Sequence, residues 1–219
     1  MGNQNLLAVP LFIFMGLILE KTKIAENLIH DMNAMFNETD SGYAISVVVV
    51  GALMAASTGI VGASVVTLGL LTYPVLVKNG YSPSLASGTI CASGTLGQVI
   101  PPSLVLILLA DVLSSSYQQA QLNMGVFSPE TITIADLFVG AILPGLILPL
   151  LYIVYLKTLK IKSIERTKNK RFNLFNIIYP LGLMFIVLGS IIFGIATPSE
   201  AAGIGCLLYT SDAADDRMR

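Results

Sequence analysis

Long apolar runs separated by short polar clusters dominate the pattern of this chain. No Asp, Glu, Lys or Arg falls within residues 41–77 or 79–110, and two more apolar stretches cover 137–156 and 172–196. The last two are each close to the ~20 residues that a helix needs to cross a bilayer. The first apolar run, 6–19, is shorter than that, which marks a half-helix or one that begins upstream. Between 24 and 36 the period changes. Ile24, Ala25, Leu28, Ile29, Met32, Met35 and Phe36 share one helical face, and Glu26, Asn27, His30, Asp31 and Asn33 take the other. This predicts an amphipathic helix too polar to span, lying along the membrane interface with His30 solvated.

The run 84–110 cannot be one regular helix. It contains Ser93-Gly94-Thr95-Leu96-Gly97-Gln98-Val99-Ile100-Pro101-Pro102-Ser103. Two glycines weaken the helix, and the paired prolines interrupt its hydrogen bonding and free backbone carbonyls. Lipid cannot satisfy those groups, so such a break persists only inside protein or beside a polar cavity. Broken helices of this kind build the ion and solute sites of secondary transporters.

Composition supports a bilayer protein: 54% of the 219 residues are hydrophobic and 11% charged, against about 25% charged in soluble domains. The net charge of −1 says nothing about nucleic acid, but no basic face with interleaved aromatics occurs, so no nucleic-acid partner is expected. Cys91 and Cys206 have neither the number nor the spacing of a disulfide or metal framework, so both read as packing residues. The start carries no signal-peptide pattern.

Basic residues concentrate at 157–171, and the positive-inside rule makes that loop cytoplasmic. The segment 111–136 has acids but no Lys or Arg and reads as an external loop, so Lys78 falls on the cytoplasmic side. The segment 43–77 must then enter and leave by one face. It is shorter than the 40-odd residues that two ~20-residue spans and a turn require. With Ser57-Thr58-Gly59-Ile60-Val61-Gly62-Ala63-Ser64 near its middle, it is expected to be a re-entrant hairpin. The fold class is therefore all-α: a polytopic membrane protein with a re-entrant helical hairpin and a discontinuous transmembrane helix.

Five blocks, in order, resemble the large membrane subunit of the tripartite ATP-independent periplasmic (TRAP) transporters, the DctM-like permeases. They are Leu7-Ala8-Val9-Pro10-Leu11-Phe12 with Glu20-Lys21-Thr22; the small-residue stretch from Ser57; Gly80-Tyr81-Ser82-Pro83 leading to Gly94-Thr95-Leu96-Gly97 and Ile100-Pro101-Pro102-Ser103; Pro144-Gly145-Leu146; and Thr197-Pro198-Ser199-Glu200-Ala201-Ala202. The resemblance implies an elevator-type permease of the bacterial inner membrane that takes up a small organic anion with sodium as coupling ion. It also implies a small membrane subunit and a periplasmic solute-binding protein as partners, with membrane lipid around it and no other cofactor. The external loop, with Tyr117-Gln118-Gln119-Ala120-Gln121, looks like the branch associated with mannitol or chloroaromatic compounds. A complete subunit of this kind is about twice as long, so the chain is expected to carry one of two inverted repeats over 1–205. The segment 206–219 does not resemble the family's next helix and is expected to be a disordered tail.

Sodium takes hard oxygen ligands, and hydroxyls with freed carbonyls provide them without fixed charge. On that chemistry the candidate sodium and substrate residues are Ser57, Thr58, Gly59, Gly62 and Ser64 at the hairpin tip. Ser93, Gly94, Thr95, Gly97, Gln98, Pro101, Pro102 and Ser103 join them at the break. The competing reading is that small residues here only allow close helix packing, and that Gln98 satisfies a freed carbonyl rather than a substrate. Asp111 and Glu200 fall at segment ends and read as hydrated. An enzyme is not expected: the single histidine lies on the interfacial helix, and no phosphate-binding glycine motif occurs. The alternatives left open are a non-transporting scaffold subunit and a sodium-coupled carboxylate carrier or antiporter that works without a binding protein.

Overall fold

The computed structural model describes residues 4–21, 24–36, 41–58, 60–159, 161 and 175–217. Within them every regular element is helical: α1 (Gln4–Lys21), α2 (Ile24–Phe36), α3 (Gly42–Thr58), α4 (Val61–Lys78), α5 (Pro83–Thr95), a 3-10 turn (Leu96–Gln98), α6 (Leu104–Asn123), α7 (Ile134–Thr158), α8 (Phe175–Ile192) and α9 (Pro198–Arg217). Gly59 and most of the basic loop, Lys160 and 162–171, lie outside the described residues.

α3 is the centre. Ala44, Ile45, Ser46, Val47, Val48, Val50, Gly51 and Met54 are all buried, as a helix apolar on every side should be. Around it pack α2, α4, α5, the 3-10 turn, α7 and α1. A second group forms where α1, α8 and α9 meet. A Cβ on Gly205 would stand 2.6 Å from Met15 Sδ and 3.4 Å from Val187 Cγ2, and Cys206 Sγ donates to the Leu11 carbonyl at 3.4 Å.

One end of the α3 group is tied by hydrogen bonds. Ser41, in the left-handed region at φ 67, donates its hydroxyl to Leu156 O at 2.9 Å and its N–H to Ile161 O at 2.9 Å. Its oxygen accepts from the Ile161 N–H at 3.3 Å. The start of α3 is thereby fastened to the end of α7. Ala44 N–H donates to Tyr81 Oη at 3.4 Å, which brings the α4–α5 turn to the same end. Burial pushes the Tyr81 phenol up, because the phenolate would be desolvated there. Lys78 and Lys157 thus close one end of the bundle, in keeping with the charge pattern of the sequence.

Apolar side chains cover the outside of α4, α6 and α7, among them Val66, Leu70, Leu108, Val112, Leu143, Leu146, Leu150 and Val154. Such a belt would drive aggregation in water and suits lipid. α4 and α7 are long and apolar enough to cross a membrane.

Several elements differ from expectation. α6 continues to Asn123, so the connection expected at 111–136 shrinks to 124–133. The polarity of 111–123 marks a wet helix, with no Gly or Pro to end it before Asn123. α7 begins at Ile134 because Thr133 and Asp136 form a reciprocal capping box, which stabilises a helix start there. α9 carries the backbone helically through 206–217, where a disordered tail was expected. On α2, His30 is exposed as expected, but Asp31 and Asn33 are buried. The helix packs against α3 and α8, so part of its polar face is covered too.

Candidate functional site

The break in the α5–α6 run is real and lies within the protein. α5 starts on a Ser82 N-cap, whose hydroxyl accepts from Leu85 N–H at 3.3 Å, with Pro83 in its first turn. It tightens into the 3-10 turn, where Val99 and Ile100 N–H both donate to Leu96 O, at 3.0 and 2.9 Å. The buried Pro101–Pro102 pair follows, joined by a cis peptide. Ser103 is completely buried and restarts the chain as the α6 N-cap. Its hydroxyl donates to Gln98 O at 3.0 Å and accepts from Leu106 N–H at 3.4 Å.

Three close approaches hold this break. A Cβ on Gly94 would meet Val65 Cγ2 of α4, and would lie 3.1 Å from the Val65 Cα and N. A Cβ on Gly51 of α3 would stand 2.5 Å from Ser93 Cβ. A Cβ on Gly145 of α7 would stand 3.4 Å from Ile100 Cα and Val99 O. Each glycine lets backbone reach backbone. Gly145 sits near the middle of α7, a 25-residue helix about 37 Å long at 1.5 Å per residue. The break is therefore level with the middle of a spanning helix.

The hydroxyls there are engaged with carbonyls. Ser93 donates to Thr89 O at 2.6 Å, Thr95 to Ala92 O at 2.8 Å and Ser64 to Ile60 O at 3.0 Å. A hydroxyl that gives its proton to a carbonyl keeps oxygen lone pairs for another partner. Ser64, Ser93, Gly94 and Gly97 are buried, whereas Thr95 and Gly62 are exposed. α4 packs against both α5 and the 3-10 turn, which brings the hairpin's second arm to the break. Ser57 and Thr58 close α3; their side chains, like Gly59, are outside the described residues. Ile60 precedes α4 and gives it no side-chain cap, and a Cβ on Gly62 would meet nothing within 4 Å.

Two cavities lie toward the two ends of the bundle. One of about 570 Å³ is lined by Ser84, Thr89, Ala92, Tyr152 and Tyr155 among others, and extends from the end bearing Lys78 to Ala92, beside Ser93. Another of about 500 Å³ lies at the opposite end, between α6, the start of α7 and the α8–α9 junction at Ile191, Ala196 and Pro198. Among the described residues no cluster of His, Cys, Asp and Glu could hold a metal ion. Sequence reasoning missed Gly51 and Val65 and did not place Gly145 at the site. A lone glycine within a helical apolar run was the available signal for two of them.

A helix broken inside the protein, with a second pair of helices turned against the break, is a construction found in membrane transport proteins. The family comparison is specific: the model described as tripartite ATP-independent periplasmic transporter, DctM component, matches residues 1–210. The chain belongs to that family. It is 32% identical over 213 residues to the C4-dicarboxylate TRAP transporter large permease protein DctM of Vibrio cholerae, covering 94% of this chain and 43% of that protein. The ectoine TRAP transporter large permease protein TeaC of Halomonas elongata is 30% identical, with 94% and 45% covered. The isethionate TRAP transporter permease protein DctMQ of Oleidesulfovibrio alaskensis is 28% identical, with 93% and 32% covered. The chain thus spans less than half the length of these relatives. They are named as permeases, in agreement with the expectation of a transport protein rather than an enzyme. The match ends at residue 210, inside α9.

Proposed function

We propose that this chain forms part of the permease subunit of a sodium-coupled transporter in the bacterial inner membrane. Its cargo is a small organic anion, handed over by a periplasmic solute-binding protein, and a small membrane subunit completes the assembly. The observation that carries this reading is the α5–α6 break at mid-span, clamped by Gly51, Gly94 and Gly145.

The chemistry of the residues present supports a sodium ion. Carbonyls near the 3-10 turn and the hydroxyls of Ser93, Thr95 and Ser103 offer hard oxygen donors without fixed charge. The starts of α4 and α6 supply partial positive charge for a carboxylate or sulfonate. Gly62, open on its side-chain face, leaves the α4 start accessible. The relatives named for C4-dicarboxylates and isethionate support an anionic cargo, and the one named for ectoine broadens it.

α3 and α4 are read as a re-entrant hairpin, and α3–α7 as a body that moves as a unit against α1, α8 and α9 in an elevator motion. The separate packing of Gly205, Met15 and Val187 supports the division. The cavity beside Tyr152 and Tyr155 is the release path toward the cytoplasm.

The test is sodium-titrated uptake by the complete reconstituted transporter carrying Thr95→Ala. Removing an exposed donor raises the sodium concentration needed for half-maximal uptake. An unaltered sodium dependence, with Ser93→Ala equally silent, overturns the proposed ion site.

A further inference from the structure

The small-residue face of α5 borders space rather than a helix. Ser84, Gly88 and Ala92 recur every fourth residue, the spacing by which small side chains let two helices close together. Yet a Cβ on Gly88 would meet nothing within 4 Å. The stripe lines the cavity of about 570 Å³, bounded elsewhere by Tyr152 and Tyr155 of α7 and Val48 of α3.

Packing does not explain Thr89. It lines the same cavity and is only 7% exposed. Among the described residues no group is hydrogen-bonded to its hydroxyl. A hydroxyl without a partner in a buried place costs stability, and valine would fill the same shape without that cost. The Tyr152 phenol, on the α7 wall, also lacks a partner among the described residues. Two hydroxyls, one on each wall, are left to whatever enters.

The position of Thr89 says what that is. It stands one turn, ~6 Å along α5, from Ser93 of the break, and its carbonyl accepts the Ser93 hydroxyl at 2.6 Å. The described lining holds no Asp or Glu to repel an anion and no Lys or Arg to trap one. Hydroxyls hold a carboxylate by charge-assisted hydrogen bonds, and without a buried counter-charge the anion is free to leave. Lys157 follows Tyr155 and Leu156 of the wall, so positive charge waits at the cytoplasmic end.

We infer that Thr89, with Tyr152, forms a second anion subsite, where the carboxylate or sulfonate of the cargo rests between the break and the cytoplasm. This rests on the transport reading above and names the side chains that hold the cargo on its way out.

The test uses the complete transporter in inside-out vesicles, with Ser84→Cys in the cavity wall as reporter. A membrane-impermeant maleimide modifies it from the cytoplasmic side, read against the transporter without the added cysteine. Succinate, malate, gluconate and isethionate are titrated as protecting anions, and the one that the transporter takes up slows the modification. Adding Thr89→Val raises its half-protecting concentration about tenfold, and Tyr152→Phe shifts it in the same direction. Thr89→Ser restores the original value. The thermal unfolding midpoint of Thr89→Val stays in place, so the shift is not one of folding. Equal protection with and without Thr89→Val overturns the inference. So does a transported anion that gives no protection, or a maleimide that never reaches Ser84→Cys. Uptake of none of the four by the unsubstituted transporter, supplied with its binding protein, overturns the anionic-cargo reading itself, a result distinct from the others.

Discussion

Ser103 repairs the break that Pro101 and Pro102 create: its hydroxyl reaches back to Gln98 O, 3.0 Å away, and caps α6 at Leu106 N–H. The Leu106 N–H is one of the first-turn donors for which the helix itself has no acceptor. Ser103→Ala removes donor and cap together and should destabilise the protein by about 1–3 kcal/mol. Ser103→Thr keeps the oxygen and should retain most of that. Thermal unfolding of the detergent-solubilised complete protein measures both, and equal midpoints for Ala and the unsubstituted protein refute the role.

The glycine contacts predict an uneven alanine scan. At Gly94 the added methyl meets Val65 backbone atoms at 3.1 Å, and at Gly51 it meets Ser93 Cβ at 2.5 Å. Neither neighbour can rotate away, so Gly94→Ala and Gly51→Ala should each cost about 1–3 kcal/mol by overpacking. Gly88, on the same helix as Gly94, has nothing within 4 Å of an added Cβ. Gly88→Ala should be neutral or slightly stabilising in the same unfolding assay, and equal losses at all three positions would contradict this packing.

What was legible in the sequence follows from how local the signal is. The break could be read because glycines and paired prolines act on their own backbone. The partners Gly51 and Val65 could not, since a residue inside an apolar run does not say which helix it will touch. The length of α6 is not legible because polarity after Asp111 reads as a loop; polarity reports hydration, and the helix runs on until Gly125, whose positive φ ends it. Asp31 and Asn33 read as a wet face because periodicity assumes one buried side, whereas α2 is packed by both α3 and α8. The candidate ion ligands follow from chemistry alone. Several of their hydroxyls already serve backbone carbonyls, at Thr89, Ala92 and Ile60.

Glu200 predicts a pH effect at the start of α9. Its carboxylate accepts from Thr197 N–H at 2.8 Å and from the Thr197 hydroxyl at 2.8 Å, which lower its pKa in that order. A depressed folded-state pKa contributes stability that is present above the unfolded value and fades as pH falls through the folded one. Thr197→Val keeps the N–H and removes the hydroxyl, so the Glu200 pKa should rise, and the stability it contributes should be smaller and fully lost at a higher pH. The carboxyl titration of Glu200, followed by isotope-edited infrared spectroscopy, checks it; an unmoved titration excludes the hydroxyl as a cause.

The fastening of Ser41 to Leu156 and Ile161 fixes one end of α3 and α7 together, so both must face the same compartment. Tyr81, hydrogen-bonded to Ala44, adds the α4–α5 turn to that side. A membrane-impermeant thiol reagent should therefore label Ser84→Cys from the side that holds Lys157, and Gln119→Cys only from the other. Gly62→Cys separates the two readings of α3 and α4. In a re-entrant hairpin the site is shielded from the Gln119 side by protein and lipid, whereas two complete crossings would leave it as reactive there as Gln119→Cys. Fast labelling of Gly62→Cys from that side would rule out the re-entrant arrangement while leaving the break at Gly94–Ser103 in place.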